Sequence, residues 1–424
     1  MRIGVPRQSQ SRERRVGLTP TGAAKLVADG HEVFVEVGAG LKSGLEDNDY
    51  RDAGATVEQR GTVIGDHGLV VQTVGPAIDE LSQPDWSRLN TKHTLVALHD
   101  PLWDPGRAEA LASTGATIVS LDLIPRITRA QSMDVLSSMS TVAGYQAVLL
   151  AAGRIPRLFP MLMTAGGTVP PTKILVLGAG VAGLQAIATA RRLGAVVEGY
   201  DIRSAAMEQI ASLGARPIDL QLETEQSEDA EGYARAQSDD LTRRQNEALL
   251  PHIADADIVI STAAIPGAAS PELITTEMVD AMRPGSVIID LAAERGGNCR
   301  LSEPDGEVKH NGVLILGPTD LPSRAAATAS LMFSNNVVAL IRHLTGEDNE
   351  VHIDLDDEIT SGTVVGFNGE VVHAQVRAKL GLSPMALPSE GPSGNGAGNA
   401  GDDDQGDHEA DGDHEDYKDG DEEE

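Results

Sequence analysis

"KILVLGAGVAGLQAIATARRLGAVVEGYD", residues 173–201, decides the fold. An apolar run leads into Gly178, Gly180 and Gly183, spaced G-x-G-x-x-G, and a small-residue segment with helical spacing follows. A second apolar run ends in Asp201. In such a strand–turn–helix–strand unit the first glycine permits the tight turn and the second lets a pyrophosphate approach the backbone. The third allows close packing of helix on sheet. The phosphates then meet the positive end of the helix at Val181 and Ala182. Asp201 stands about where a carboxylate would accept the adenosine ribose hydroxyls and oppose a 2′-phosphate, which favours NAD over NADP. Arg203 pulls the other way, since a nearby arginine can accommodate that phosphate.

Further apolar runs continue this pattern: "RPIDLQL", "DADIVIST", "GSVIIDLA" and "GVLILGP". An earlier series, "MRIGVP", "HEVFVEVG", "GLVVQTV", "TLVALHD" and "ATIVSLDLI", alternates with helical segments such as "PTGAAKLVADG". Strands alternating with helices predict parallel sheets with helices on both faces. The expected fold class is therefore α/β, with two doubly wound Rossmann-like domains joined by long crossover helices. The first domain is expected at 1–135 and, through the helix "TASLMFSNNVVALIRHLTG" and a hairpin-like piece, at 325–380. The dinucleotide domain is expected at 136–324, and a disordered acidic tail at 385–424.

The 424 residues carry 64 acidic and 33 basic side chains, a formal charge of −31, which argues against nucleic acid as a partner. With Arg outnumbering Lys, this balance suggests a high-salt cytoplasm. Aromatics make up only 3%, so the cores must be aliphatic. The single cysteine, Cys299, rules out an intramolecular disulfide and reads as a small, partly buried residue. The N-terminus has no signal-like apolar block, and no unbroken apolar stretch reaches about 18 residues, so no membrane span is expected.

Between the two strand series stands "RITRAQSMDVLSSMSTVAGYQAV", residues 126–148. If it is helical, Gln131, Asp134 and Ser138 share one stripe with Ser137 beside it. Spacing alone leaves this stretch balanced between a capped helix with a solvated start and a site in the cleft. Further on, "ETEQSEDAEGYARAQSDDLTRRQ", residues 223–245, is a long charged excursion with few apolar anchors, suited to a lid.

The runs "SMDVLSSMSTVAGYQAV", "GAGVAGLQAIATARRLGAVVEGYDIR", "DIVISTAAIPGAASPELIT", "MRPGSVIIDLAAERGGNC" and "GPTDLPSR" together resemble the NAD(H)-binding component of proton-translocating nicotinamide nucleotide transhydrogenase. That family is homologous to alanine dehydrogenase. The resemblance covers about residues 1–346. It implies NAD(H) contacts at Arg126, Ile127, Thr128, Arg129, Gln131, Ser132, Met133 and Asp134, with Arg126, Gln131, Asp134 and Ser137 closest to the chemistry. It implies further contacts at Gly178, Gly180, Val181, Ala182, Gly183, Asp201, Ile202 and Arg203, and at Ile265 and Pro266. A mobile loop with Gly232, Tyr233 and Ala234, and Gln245 beyond it, is implied to fold over the nucleotide.

Arg126 and Gln131 are then expected to orient the nicotinamide amide and ribose, Asp134 to hold Arg126 or the carboxamide, and Ser137 to contact the carboxamide. Direct hydride transfer between two nicotinamides needs positioning and water exclusion but no general base. "VLILGPTD" lacks a second phosphate fingerprint, so the resemblance puts NADP(H) on a partner subunit. It also implies a homodimer, a membrane-embedded partner and a peripheral place at the inner face of the cell membrane. One departure is Pro318, where the family commonly has an aromatic.

Alanine dehydrogenase is the competing reading, with the same fold and NAD site. Its chemistry needs an acid–base group and a carboxylate clamp. The chain keeps Arg15 and His99, but Val74 stands at the lysine position and Glu294 at the aspartate position. Valine cannot bind a keto or carboxylate oxygen, which argues against amino-acid chemistry. Arg15 and His99 then read as structural. A third reading is a silent NAD-sensing module.

Overall fold

The computed structural model describes residues 1–220 and 239–385. Gly232, Tyr233 and Ala234 of the expected lid and residues 386–424 of the expected tail lie outside the described residues.

Six parallel strands build the first sheet: β1 (Arg2–Val5), β2 (Glu32–Glu36), β3 (Thr56–Glu58), β4 (Gly68–Val74), β5 (His93–Leu98) and β6 (Thr117–Ser120). A small hairpin follows, β7 (Leu162–Thr164) and β8 (Gly167–Val169). The second sheet holds β9 (Lys173–Leu177), β10 (Val196–Tyr200), β11 (Arg216–Pro217), β12 (Ile258–Ser261), β13 (Val287–Asp290), β14 (Glu307–His310) and β15 (Val313–Leu316). Late in the described chain, β16 (Val364–Phe367) and β17 (Glu370–Val371) return to the first sheet, where β16 pairs antiparallel with β6.

The first sheet runs β3-β2-β1-β4-β5-β6-β16-β17 and the second β11-β10-β9-β12-β13-β15-β14. Each is doubly wound, reversing direction beside its first strand, and such sheets bind ligands beyond the carboxyl ends of the strands at that reversal. The short strands β3 and β14 and the β7–β8 hairpin have no counterpart among the apolar runs of the sequence. Among the described residues of the run "RPIDLQL", Arg216 and Pro217 pair with β10 and Ile218 to Leu220 do not continue the strand.

Side chains along the central strands alternate between two buried faces. In the first sheet Val71, Val96 and Val119 pack on one side, and Val70, Leu95 and Ile118 on the other. In the second, Ile174, Val176, Ile258 and Ile260 oppose Leu175, Leu177 and Val259. Strands covered on both faces read as near-continuous apolar runs, which is why the sequence shows them so plainly.

Two long helices bind the sheets together. Helix Ala326–Leu344 sends Ala329, Phe333, Val337, Leu340 and Ile341 into the first core. Helix Val135–Ala152 is shared: Val135, Met139 and Val142 enter the first core, while Ala147, Val148 and Ala151 enter the second. Among the described residues it is the one helix long and apolar enough to cross a membrane. Here that apolarity serves two cores at once.

Candidate functional site

The glycine loop has the geometry its spacing implied. Gly178 follows β9 with φ +94°, a conformation strained for any other residue. A methyl at Gly183 would collide with the carbonyl oxygen of Gly178, so helix Val181–Arg192 lies close on the strand end. A methyl at Gly180 would meet nothing within 4 Å, so the backbone there faces open space. Gly180 is also the N-cap and brings no side chain to the first turn. The donor set and the open backbone fit a dinucleotide pyrophosphate.

Asp201 follows β10 and is nearly buried, at 7% exposure. Its Oδ2 accepts the Ala179 N–H at 2.6 Å, tying the glycine loop to the neighbouring strand. Arg203 folds back on the same carboxylate: its backbone N–H and Nε donate to Oδ1 and its Nη2 to Oδ2, each at 2.9 Å. The carboxylate expected to face ribose hydroxyls is thus covered by the arginine two residues on.

Across the reversal point, Thr262 Oγ1 donates to the carbonyl of Gly178 at 3.1 Å. The loop beyond it, with Ile265 and Pro266, is held by fully buried Asn298. That amide accepts from Ala263 N–H at 3.0 Å and donates to the carbonyls of Ala263 and Pro271 at 2.9 and 2.8 Å. Gly267, φ +64°, sits against Leu102 of the first sheet's side, and Lys379 Nζ donates to its carbonyl at 2.7 Å. Thr262 and Asn298 escaped the sequence reading because a lone Thr or Asn carries no spacing signal.

The second half of the site is a cavity of about 460 Å³ at the start of the shared helix. It is lined by Pro125, Arg126, Ile127, Gln131, Asp134, Ser137, Ser138, Thr141 and Met332. Its polar lining is guanidinium, amide, carboxylate and hydroxyl. Thr141 and Met332 were not foreseen; Met332 comes from the other long helix, about 200 residues away in sequence.

The structure corrects the helical stripe. Residues Thr128–Met133 form a 3₁₀ turn, and the α-helix begins only at Val135. Asp134 is its N-cap, accepting Ser137 N–H at 2.8 Å and Ser137 Oγ–H at 2.5 Å. A short acceptor at this position satisfies first-turn donors, so the helix starts where its cap stands. Asp134 is therefore engaged with Ser137 at the helix start. Gln131 and Asp134 reach one cavity through the turn and cap, not through helical periodicity.

Other expected contacts point elsewhere. Arg129 is exposed and pairs with Asp357 at 3.5 Å. Met133 is buried in the first core. Ser132 offers its carbonyl to Asn336 Nδ2 at 2.8 Å, while Asn336 Oδ1 accepts from Ser138 Oγ at 2.7 Å. Thr128 is exposed and does not line the cavity. Gln245 is buried on helix Asp239–Asp255 and is likewise absent from the cavity wall.

Of the residues of the competing amino-acid reading, Arg15 is tied up in an ion pair. Arg15 donates Nε and Nη2 to Glu13 at 2.9 and 2.5 Å, and Ser323 Oγ donates to the same carboxylate at 2.6 Å. Burial pushes Glu13 up, but Arg15 and Ser323 outweigh it and hold the carboxyl below its ordinary value. His99 is buried, with Gly75 packed directly on its ring. Burial and the nearby Arg107 lower its pKa to about 3. Val74 ends β4, and Glu294 is pushed up by burial. No clamp with a free carboxylate-binding fork stands among these residues. Cys299 is fully buried, and burial raises its thiol to about 11.

Two doubly wound sheets with a glycine loop in one and a polar cavity at their shared helix define a two-domain dinucleotide-binding protein. The alanine dehydrogenase/PNT N-terminal domain matches residues 4–143 and the alanine dehydrogenase/PNT C-terminal domain residues 147–374. The chain belongs to that family. It is 41% identical to NAD(P) transhydrogenase subunit alpha of Cereibacter sphaeroides, over 92% of this chain and 74% of that protein. Its structure resembles a transhydrogenase from Sinorhizobium meliloti, with TM-score 0.77, 40% identity, and coverage of 88% of this chain and 100% of the other. An L-alanine dehydrogenase structure is more distant, with TM-score 0.73 and 25% identity over 90% of this chain and 99% of that one.

Proposed function

We propose that this chain is the NAD(H)-binding subunit of a proton-translocating transhydrogenase. In this reading a hydride passes directly between NAD(H) held here and NADP(H) held on a partner subunit, and membrane-embedded subunits couple the transfer to proton movement. The observation that carries it is the lining of the hinge cavity, which among the described residues offers guanidinium, amide, carboxylate and hydroxyl groups suited to positioning. Together with the glycine loop, it offers groups that can orient a nicotinamide, and orientation is the larger part of what hydride transfer between two nicotinamides requires.

Bound NAD(H) supplies the nicotinamide C4 hydride. Val181 and Ala182 N–H groups and the open backbone at Gly180 hold its pyrophosphate. Arg126 and Gln131 orient the nicotinamide amide and ribose. Asp134 fixes the start of the helix, and in this reading Ser137 Oγ exchanges from Asp134 to the carboxamide. No proton need move at the reacting carbon, so the cavity needs no general base.

A homodimer is part of the proposal. The hairpin β7–β8 is exposed along its whole length, and a lone two-stranded hairpin is marginal in water. Its surroundings expose Leu158, Met161, Leu162, Met163 and Val169, an apolar surface suited to a second copy. A peripheral position at the cytoplasmic membrane face follows from the proposed membrane partners.

The test is NADH-dependent reduction of an NADP-type acceptor after mixing the chain with its NADP(H)-binding and membrane subunits. Transfer that needs all the components supports the proposal; a properly assembled complex that binds NADH and transfers nothing sinks it in favour of an NAD-sensing module. Alanine-dependent NAD reduction by the chain alone would instead favour the dehydrogenase.

A further inference from the structure

We infer that the Arg203 guanidinium is a built-in occupant of the adenosine-ribose subsite, which NAD(H) must displace to reach Asp201. The inference rests on the NAD(H) reading above and adds how the subsite is filled before the nucleotide arrives.

An ionised carboxylate has about four acceptor positions on its two oxygens. Four donors already converge on Asp201: Ala179 N–H at 2.6 Å, and the backbone N–H, Nε and Nη2 of Arg203 at 2.9 Å each. With the carboxylate at 7% exposure, there is little room for a fifth. The two backbone donors cannot leave without undoing the glycine loop or the turn after β10. The two guanidinium donors belong to a side chain with 20% exposure, and their exchange leaves both backbone bonds in place. They present a pair of N–H groups on one edge, as a ribose cis-diol presents a pair of O–H groups. A diol can therefore take their places with the backbone bonds kept.

The exchange also explains discrimination. A 2′-phosphate carries negative charge where the 2′-hydroxyl carries a donor. It has no donor to give Asp201 in place of the guanidinium, and the carboxylate repels it. While Arg203 is held by Asp201, its charge is compensated and offers the phosphate little. Asp201 and Arg203 are thus one selecting unit, so the two opposing signals in the sequence resolve in favour of NAD.

The ion pair that must break lowers the affinity for NADH, so removing the fork should raise it. The test is fluorescence titration of the full chain and its Arg203→Met variant with NADH and with reduced nicotinamide mononucleotide, which lacks the adenosine half. Arg203→Met is expected to bind NADH roughly 2- to 10-fold more tightly, the range for breaking a partly exposed ion pair. Its affinity for the mononucleotide is expected to stay unchanged. Weaker or unchanged NADH binding by Arg203→Met overturns the inference, as does an equal change for both ligands. Wild-type chain that binds no NADH overturns the NAD(H) reading itself, a distinguishable result. Should Arg203→Met fail to fold, Arg203→Gln, which has no charge to pair with Asp201, carries the same expectation.

Discussion

Gly144 of the shared helix lies against Ala182 at the start of the glycine-loop helix, so closely that a methyl at Gly144 would collide with the Ala182 carbonyl oxygen. This contact joins the hinge cavity to the phosphate loop. Ser137 and Thr141 line the cavity two turns and one turn before Gly144 on the same helix. The absence of a side chain at one position therefore sets the separation of the two halves of the candidate site.

Gly144→Ala is expected to destabilise the chain by about 1–3 kcal/mol through overpacking against backbone that cannot yield. NADH affinity should fall with it, as the two helices are pushed apart. Gly153→Ala is the control, since a methyl there meets its nearest neighbour at an ordinary 3.6 Å. Denaturant unfolding and NADH titration of both variants check the comparison.

Gln131→Asn keeps the amide but shortens its reach into the cavity. It is expected to slow hydride transfer in the assembled complex far more than it weakens NADH binding, because misplacement costs rate where geometry is what the site supplies. Equal losses in single-turnover rate and in affinity would remove Gln131 from the positioning role.

Asp134 has two separable duties. Asp134→Ala removes the helix cap and should cost about 0.5–2 kcal/mol. Asp134→Asn keeps an acceptor for Ser137 and should retain most of that stability. If the charge also serves the cavity, the Asn variant will unfold near the wild-type denaturant midpoint yet transfer hydride slowly.

Arg15→Ala strips Glu13 of its buried partner and is expected to cost about 3–5 kcal/mol. Arg15→Ala/Glu13→Ala should recover part of the loss, since no carboxylate is left stranded. Wild-type chain should reduce no NAD with alanine. Unfolding curves and an absorbance assay separate this structural role from a substrate clamp.

His99 predicts a pH dependence. Its unfolded-state imidazole takes up a proton below about pH 6.5, whereas the folded ring resists to about 3. The unfolded state binds more protons between those values, so stability rises with pH there. The contribution is fully present above about pH 6.5 and is lost as pH falls toward 3. The stability difference between wild type and His99→Leu should be constant above pH 7 and shift toward the variant below pH 6.5, as read by thermal unfolding across the range.

The parallel sheets were legible from sequence because their central strands are buried on both faces and leave unbroken apolar runs. The glycine loop was legible because three backbone requirements fall at fixed spacing, met by Gly178, Gly180 and Gly183. The hinge cavity was legible only in part. Gln131, Asp134 and Ser137 sit close together in sequence, but a cap placed by Asp134 moved the helix start and turned Arg129 and Met133 away. Met332 reaches the same cavity from a distant helix, and no local pattern encodes such a meeting.

Local periodicity and glycine spacing, which depend on near neighbours, are what the sequence by itself determined: two doubly wound sheets and one dinucleotide loop. Tertiary structure alone decided which partners the charged groups took. Arg203 closed on Asp201, Arg15 on Glu13, and Gly144 met Ala182. Each of these contacts depends on side-chain direction and on the packing of elements, and neither can be read along the chain.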